Sequence, residues 1–401
     1  MIVIMDAISS PPITVENFEP ARRFLRVAVV TETWPPEVNG VAVTLSKLIH
    51  HLGLRQHTIQ LIRPRQDKND AAVEQDGWSE LLLRGFPIPK YPQLKLGLPS
   101  KKALIKAWSS KRPDVVHIAT EGPLCWSALQ AAQTLRLPVT SDFRTNFHSY
   151  CEHYGVGWLS KPIVAYLRKF HNRTAFTMVP TTALKHQLEA LGFKNLKVVA
   201  RGVDTQLFHP DKRSETLRAS WGATPQTLVL LSVGRLAAEK NLDLTLKTYR
   251  AIAATGRNVQ LVIAGDGPLR AATQAKCPEA IFVGMCTHEQ LAAVYASADV
   301  LMFPSLTETF GNVTLESLAC GTPVLAFDCA AAGEFVVHQQ NGWLAPSDAP
   351  ARYIEQGLDI TADGAKLMKA RTFARSSVEH LGWHEIAAQV ETIFERAIDL
   401  S

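Results

Sequence analysis

No apolar run in this 401-residue chain is long enough to cross a membrane, so no transmembrane helix is expected. The first residues, MIVIMDAISS, carry Asp6 and no basic segment, which argues against a secretory leader. Six cysteines (Cys125, Cys151, Cys277, Cys286, Cys320 and Cys329) show neither metal-ligand spacing nor the density of a disulfide framework. That pattern fits a reducing compartment, and a cytoplasmic location is the expectation. Internal repeats and low-complexity segments are absent. Basic residues are not interleaved with aromatics that could stack bases, so nucleic acid is not an expected partner. Mean hydropathy is +0.00, with 46% hydrophobic and 20% charged residues, and this describes a globular chain with length for two or three domains.

Charge is present but uneven. Residues 1–200 hold 25 Lys and Arg against 15 Asp and Glu, a balance of +10. Residues 201–401 hold 17 against 22, a balance of −5. A basic half points to an anionic partner. Residues 90–112 carry Lys90, Lys95, Lys101, Lys102, Lys106, Lys111 and Arg112 and no acid, with Leu104, Ile105 and Trp108 on an apolar side. Read as a basic amphipathic helix with an interfacial Trp, this stretch suits shallow contact with an anionic membrane. The plainer alternative is a solvated basic face over an ordinary core side. Residues 158–173 have the same character.

Apolar runs at 24–31, 57–63, 81–86, 115–119, 139–143, 176–180 and 196–199, mostly separated by helical patterns, predict a doubly wound α/β sheet. Runs at 228–233, 259–264, 281–283, 298–303 and 324–327 predict a second. The connection ARGVDTQLFHP at 200–210 reads as exposed. The expected organisation is a loose extension at 1–22, domains at 23–205 and 206–382, and a final helix at 383–401. In that helix Ile386, Ala387, Val390, Ile393, Phe394 and Ala397 recur at helical period.

The chemistry falls at strand-to-helix turns, the edge where open α/β sheets bind ligands. Gly40 follows the first strand and Pro35-Pro36, with a helix expected from about Val43. Gly234 and Arg235 leave a buried strand, and Lys240 stands where a helix is expected to start. Two cations so placed suit a diphosphate, because a lysine at a helix start otherwise opposes the dipole. Gly265 opens the turn Gly265-Asp266-Gly267-Pro268 before a helix expected over 269–276. The stretch PSLTETFGNVTLESLACGTP at 304–323 is the richest. Glu308 lies in a loop, Gly311 permits close backbone approach, Asn312 is expected to cap a helix, and Glu316 lies just over a turn inside it. Two such carboxylates suit two parts of one hydroxyl-rich ligand; the alternative is one exposed and one capping Glu.

Glu308, Phe310, Gly311 and Glu316, with Ala319-Cys320-Gly321-Thr322-Pro323-Val324, resemble the Glu-x7-Glu signature of family-4 retaining glycosyltransferases. The resemblance covers residues 24–395. It implies the α/β GT-B fold: two Rossmann-like domains facing a cleft, the last helix crossing back to the first domain. It also implies transfer of a hexose from a nucleotide-diphosphate sugar, GDP-mannose or a UDP-hexose, with no cofactor. The resemblance carries no dedicated metal site, and no Asp-x-Asp occurs here. Arg235 and Lys240 would bind the diphosphate, and Glu308 the sugar hydroxyls and anomeric charge. Phe310, Gly311, Asn312 and Val313 would line the donor, Glu316 would hold the ribose, and Gly40, Gly234 and Gly265 would admit the donor closely.

Where relatives carry a His beside the donor sugar, this chain has Arg144, which suits a phosphate or an acidic group. His117, Glu121 and His148, with Lys101, Lys102 and Lys106, are candidates for the acceptor and membrane side. Family members that glycosylate lipids carry a similar basic helix. The expected acceptor is therefore a membrane lipid or an envelope glycan intermediate, met at the inner face of the plasma membrane. Three rivals stand beside this reading. A glycoside hydrolase would have no diphosphate to hold. A sugar-nucleotide epimerase would need no acceptor. A silent nucleotide- or membrane-binding homologue would show no turnover.

Overall fold

The computed structural model describes residues 23–37, 40–88, 91–144, 160–308 and 310–401. The expected extension at 1–22 lies outside them. The first half contributes β1 (Arg26–Val30), β2 (Thr58–Pro64), β3 (Glu74–Gln75), β4 (Trp78–Leu83), β5 (Gly85–Ile88), β6 (Tyr91–Gly97), β7 (Val115–Ile118), β8 (Val139–Asp142), β9 (Phe176–Val179) and β10 (Leu196–Val198). The second contributes β11 (Leu228–Val233), β12 (Val259–Ala264), β13 (Ile281–Gly284), β14 (Val300–Phe303), β15 (Val324–Phe327) and β16 (Gly342–Ala345).

Eight strands form one sheet in the order β10-β9-β8-β7-β1-β2-β4-β3, and six form another in the order β13-β12-β11-β14-β15-β16. Every pairing in these two sheets is parallel except that of β3 with β4 at one edge. Strands buried on both faces need apolar residues at successive positions, which is why β7, β11, β14 and β15 are buried along their whole length. In each sheet the strand order reverses beside the first strand, between β1 and β7 and between β11 and β14. Loops leaving the C-terminal ends of such neighbours diverge to opposite faces and open a crevice.

The helix Trp383–Asp399 belongs to the second half in sequence but docks on the first. Its apolar side, including Ile386, Val390 and Phe394, shares one buried cluster with Val27, Leu45 and Ile49 of the first half and Val229 and Leu231 of the second. Polar ties reinforce the docking. Arg55 pairs with Glu391, and His57 Nε2 lies 3.3 Å from Glu391 Oε1. Arg23 reaches Asp399 at 2.8 Å. The Trp383 ring fills the space over Gly202, where a Cβ would fall 2.5 Å from it.

Three sequence expectations are corrected here. Within and beside the basic stretch, Gly85–Ile88 and Tyr91–Gly97 pair antiparallel as β5 and β6; the helix covers only Lys101–Ser110. Trp108 is not interfacial. It and Leu104 are fully buried, and its Nε1 donates to Gln60 Oε1 at 3.0 Å. The periodicity that gives a helix a membrane-facing side equally gives it a core-facing side, and the core takes it here. Lys102 and Lys106 remain exposed and Lys101 partly so. The first helix also starts earlier than Val43, at Gly40.

Trp108→Ala is expected to lower unfolding free energy by about 3–5 kcal/mol. Lys106→Ser should stay within about 0.5 kcal/mol of the parent. Denaturant titration of both variants checks the contrast; equal stability would return Trp108 to the surface.

Candidate active site

The loop after β11 carries the expected cations. Gly234 has φ +143°, and Gly265, at the end of β12, has φ +126°. A Cβ on Gly265 would fall 2.0 Å from the Gly234 carbonyl oxygen, so Gly265 is required for packing two strand-end loops together. Arg235 is largely exposed and pairs with Glu239. Lys240 does not begin the helix. It closes a 3-10 turn, Ala238–Lys240; Asn241 follows at φ +52°, and the helix starts at Leu242. Lys240 is thereby turned back across the sheet end. Its Nζ pairs with Glu308 Oε1 and lies 5.2 Å from the centre of the Phe303 ring.

The loop after β14 meets it there. Ser305 Oγ donates to Glu308 Oε1 at 2.9 Å and to the Glu239 carbonyl at 3.2 Å, and the Leu306 amide donates to that carbonyl at 2.9 Å. The two loops are therefore one unit, and the Lys240–Glu308 pair is held inside it. Gly311, not Asn312, is the residue before the helix Asn312–Ala319, and it takes φ +89°. No side chain caps this helix, so its first amides remain available to a ligand. Phe310 is buried against Phe335, so only its backbone can line a site. Val313 is partly exposed. Glu316 accepts from the Tyr295 hydroxyl at 3.0 Å. Burial pushes its carboxyl up to about 7, which that hydrogen bond only partly opposes.

From the first half, β8 ends at Asp142, and Arg144 returns onto it, its Nε 2.6 Å from Asp142 Oδ2. His117 is buried; its Nε2 lies 3.2 Å from the same oxygen and its Nδ1 3.0 Å from Thr140 Oγ1. Burial opposes ionisation of Asp142, but Arg144 and then His117 outweigh it and hold the carboxyl below its usual range. His117 therefore supports Arg144 through Asp142. Glu121 is also buried, 3.3 Å from His171 Nε2, and faces inward for the same reason: its polar partner lies in the interior. Both residues expected on the acceptor side thus have their polar partners in the interior. His148 lies outside the described residues.

Arg201 and Asp142 were missed as site residues. Arg201 Nη1 donates to Asn312 Oδ1 at 3.3 Å, and its guanidinium lies 5.4 Å from the Phe310 ring centre. The same Nη1 is 3.8 Å from where a Cβ on Gly40 would stand. Arg201, Arg144, Asp142 and Thr44 of the first half line one cavity with Trp383 and Val390 of the C-terminal helix. Arg201 was hidden in the string 200–204, which reads first as a connection. Asp142, two residues before Arg144 at a strand end, offered the spacing of a carboxylate that steers a cation.

Two family models match the chain: Glycosyltransferase Family 4 over residues 38–207 and Glycosyl transferases group 1 over residues 227–363. A GDP-mannose-dependent alpha-mannosyltransferase from Mycobacterium tuberculosis (strain CDC 1551 / Oshkosh) is 35% identical over 324 residues, 80% of this chain and 84% of that protein. The chain belongs to the family-4 glycosyltransferases. Alpha-monoglucosyldiacylglycerol synthase from Streptococcus pneumoniae is 27% identical, covering 75% of this chain and 71% of that protein. Among solved structures, Anabaena HepE in complex with UDP aligns at TM-score 0.74 and 17% identity, covering 93% of this chain and all of that one. The fold is GT-B, and the enzyme is a hexosyltransferase.

In this glycosyltransferase, Lys240, Glu308, Gly311 and Asn312 from the second half converge with Gly40 and Arg144 from the first, and Arg201 stands between them. Glu316 lies farther along its helix. Arg235 reaches outward. Lys101, Lys102 and Lys106 sit on a separate helix beneath a different face of the first sheet, packed on Pro123–Thr134.

The Glu316 carboxyl ionises at about 7 in the fold against an ordinary 4.5, so the folded, ligand-free enzyme holds the extra proton between those pH values. Its contribution to stability therefore falls as pH rises through that window and stays lost above it. Glu316→Gln should gain on the parent between pH 5 and pH 8 by on the order of 2 kcal/mol. Melting temperatures of both proteins at the two pH values measure this; an unchanged difference would contradict it.

Proposed function

We propose that the enzyme transfers a hexose, with retention, from a nucleotide-diphosphate sugar to a lipid or envelope-glycan acceptor at an anionic membrane surface. GDP-mannose is the first donor to test, since the mycobacterial relative is named for it. A lipid acceptor is supported by the diacylglycerol named for the pneumococcal relative. The observation that carries the proposal is the Lys240–Glu308 pair, fixed where the loops after β11 and β14 meet beside an uncapped helix.

Ligand-free, each charge neutralises the other. With donor present, Lys240 turns to the diphosphate and Glu308 to the sugar hydroxyls, so neither is left buried and unpaired. Amides of Gly311 and Asn312 point at the leaving phosphate. Arg235 exchanges Glu239 for the other phosphate. The bond from the anomeric carbon to the diphosphate oxygen breaks as the acceptor hydroxyl attacks the same face, and its proton passes to the leaving oxygen. Cations that meet charge developing on that oxygen contribute several kcal/mol to such a step. In this reading they take the place of a metal ion, and Glu316 accepts hydrogen bonds from the ribose hydroxyls.

The membrane role is electrostatic. The apolar side of Lys101–Ser110 is in the core, which leaves its lysines toward solvent; Lys161, Arg168 and Lys169 of the helix Ser160–His171 are exposed as well. Each such residue near an anionic surface contributes about 1 kcal/mol. No helix among the described residues is long and apolar enough to cross a membrane.

Thermal shifts with GDP, UDP and ADP in chelator test the donor reading. A ligand at a hundred times its Kd adds about 2.7 kcal/mol. One diphosphate is expected to shift the parent, and Lys240→Ala to lose most of that shift and at least about a hundredfold in turnover. No shift with any of them would overturn the reading. Changing Lys101, Lys102 and Lys106 together to Ser should weaken binding to anionic vesicles and leave donor hydrolysis in solution intact. Unaltered vesicle binding would remove the membrane contact.

A further inference from the structure

Four cations stand at or beside the cleft, and three have carboxylate partners. Arg235 pairs with Glu239, Lys240 with Glu308 and Arg144 with Asp142. Arg201 forms no ion pair among the described residues; its one side-chain hydrogen bond among them is the single contact to Asn312. A guanidinium carries five donors, so most of its capacity is unused. Its surroundings disfavour the charge. Burial, followed by the nearby Arg144, pulls Arg201 down to about 10, and Glu308 and Asp142 offset this only in part. A part-buried cation in this condition is stabilised by an anion brought to it.

The geometry says where that anion lies. Arg201 touches the first residue of the helix Asn312–Ala319 and stands beside Gly40, the first residue of the helix Gly40–Leu54. Two helix N-termini, one from each half, thus converge on one guanidinium. Both present a positive dipole end to the same anion, and the helix Asn312–Ala319 adds amides that no side chain caps.

We infer that Arg201 is a donor-binding residue, supplied by the connection between the two halves, that completes the grip on the diphosphate of the nucleotide sugar. This rests on the donor reading above. The planar fork of the guanidinium bridges two phosphate oxygens, a geometry a lysine ammonium does not reproduce. Because Arg201 lies between the halves, the diphosphate that it holds also ties them together. The competing role is a strut: Arg201 merely spaces the halves through Asn312, and contacts no ligand.

Calorimetric titrations of GDP against GMP, and UDP against UMP, separate the two. For the diphosphate that binds the parent, Arg201→Gln should weaken affinity at least about tenfold and the monophosphate markedly less, collapsing the preference for two phosphates. Arg201→Lys should recover part of that preference, which also guards against a folding defect in the Gln variant. A strut would change melting temperature, or both affinities equally, and leave the preference as in the parent; either result overturns the inference. A parent that binds no diphosphate defeats the donor reading itself. A parent whose diphosphate binding is lost in Lys240→Ala but kept in Arg201→Gln defeats only the role of Arg201.

Discussion

The arrangement depends on a charge pair that the fold makes only by bringing two loops to one place. Lys240 and Glu308 are far apart in sequence, on turns that leave β11 and β14. Those strands are neighbours, and the strand order reverses between them. Parallel pairing sets the two strand ends level, and the Ser305 and Leu306 bonds to the Glu239 carbonyl fix the loops to each other. The pair then keeps two functional charges neutral in a part-buried position until a ligand offers each a replacement. A rigid unit with exchangeable partners is cheaper to hold than two bare charges.

The two halves contribute unequally. The second presents a preformed turn, an uncapped helix start and a carboxyl raised by burial. The first presents Arg144, oriented through Asp142 by His117. A cation steered from behind by a buried carboxylate has its direction fixed by the interior, so the position of Arg144 is a property of the β7–β8 strand ends rather than of a surface loop.

Much of this was legible in the sequence. β15 falls where an unbroken apolar run begins and ends, and β11 and β12 where runs interrupted by a single polar residue do, because a strand buried on both faces leaves little room for any other pattern. The turn at 234–240 and the stretch at 304–316 were legible because glycine and charge at a strand end have few structural uses. The antiparallel pair β5–β6 was not, since prolines and lysines obscure its alternation. Trp108 misled because helical periodicity reports a side, not what covers it. His117 and Glu121 looked available because burial depends on neighbours remote in sequence: Phe394 packs 5.4 Å from the His117 ring, from the other end of the chain. Arg201 was passed over for the same reason. Its partners, Gly40 and Asn312, come from both sides of it.

The helix Trp383–Asp399 bears on the order in which the molecule is made. Leu45, Leu48 and Ile49 share their buried cluster with Ile386, Val390 and Phe394. Until the ribosome has released that segment, the sheet face that carries Val27 and Val29 has the helix Gly40–Leu54 over it but lacks the cover that Ile386, Val390 and Phe394 supply. The nascent first half therefore waits, part-covered, through synthesis of the entire second half. Apolar surface exposed for that long is the kind that makes a folding intermediate prone to aggregate.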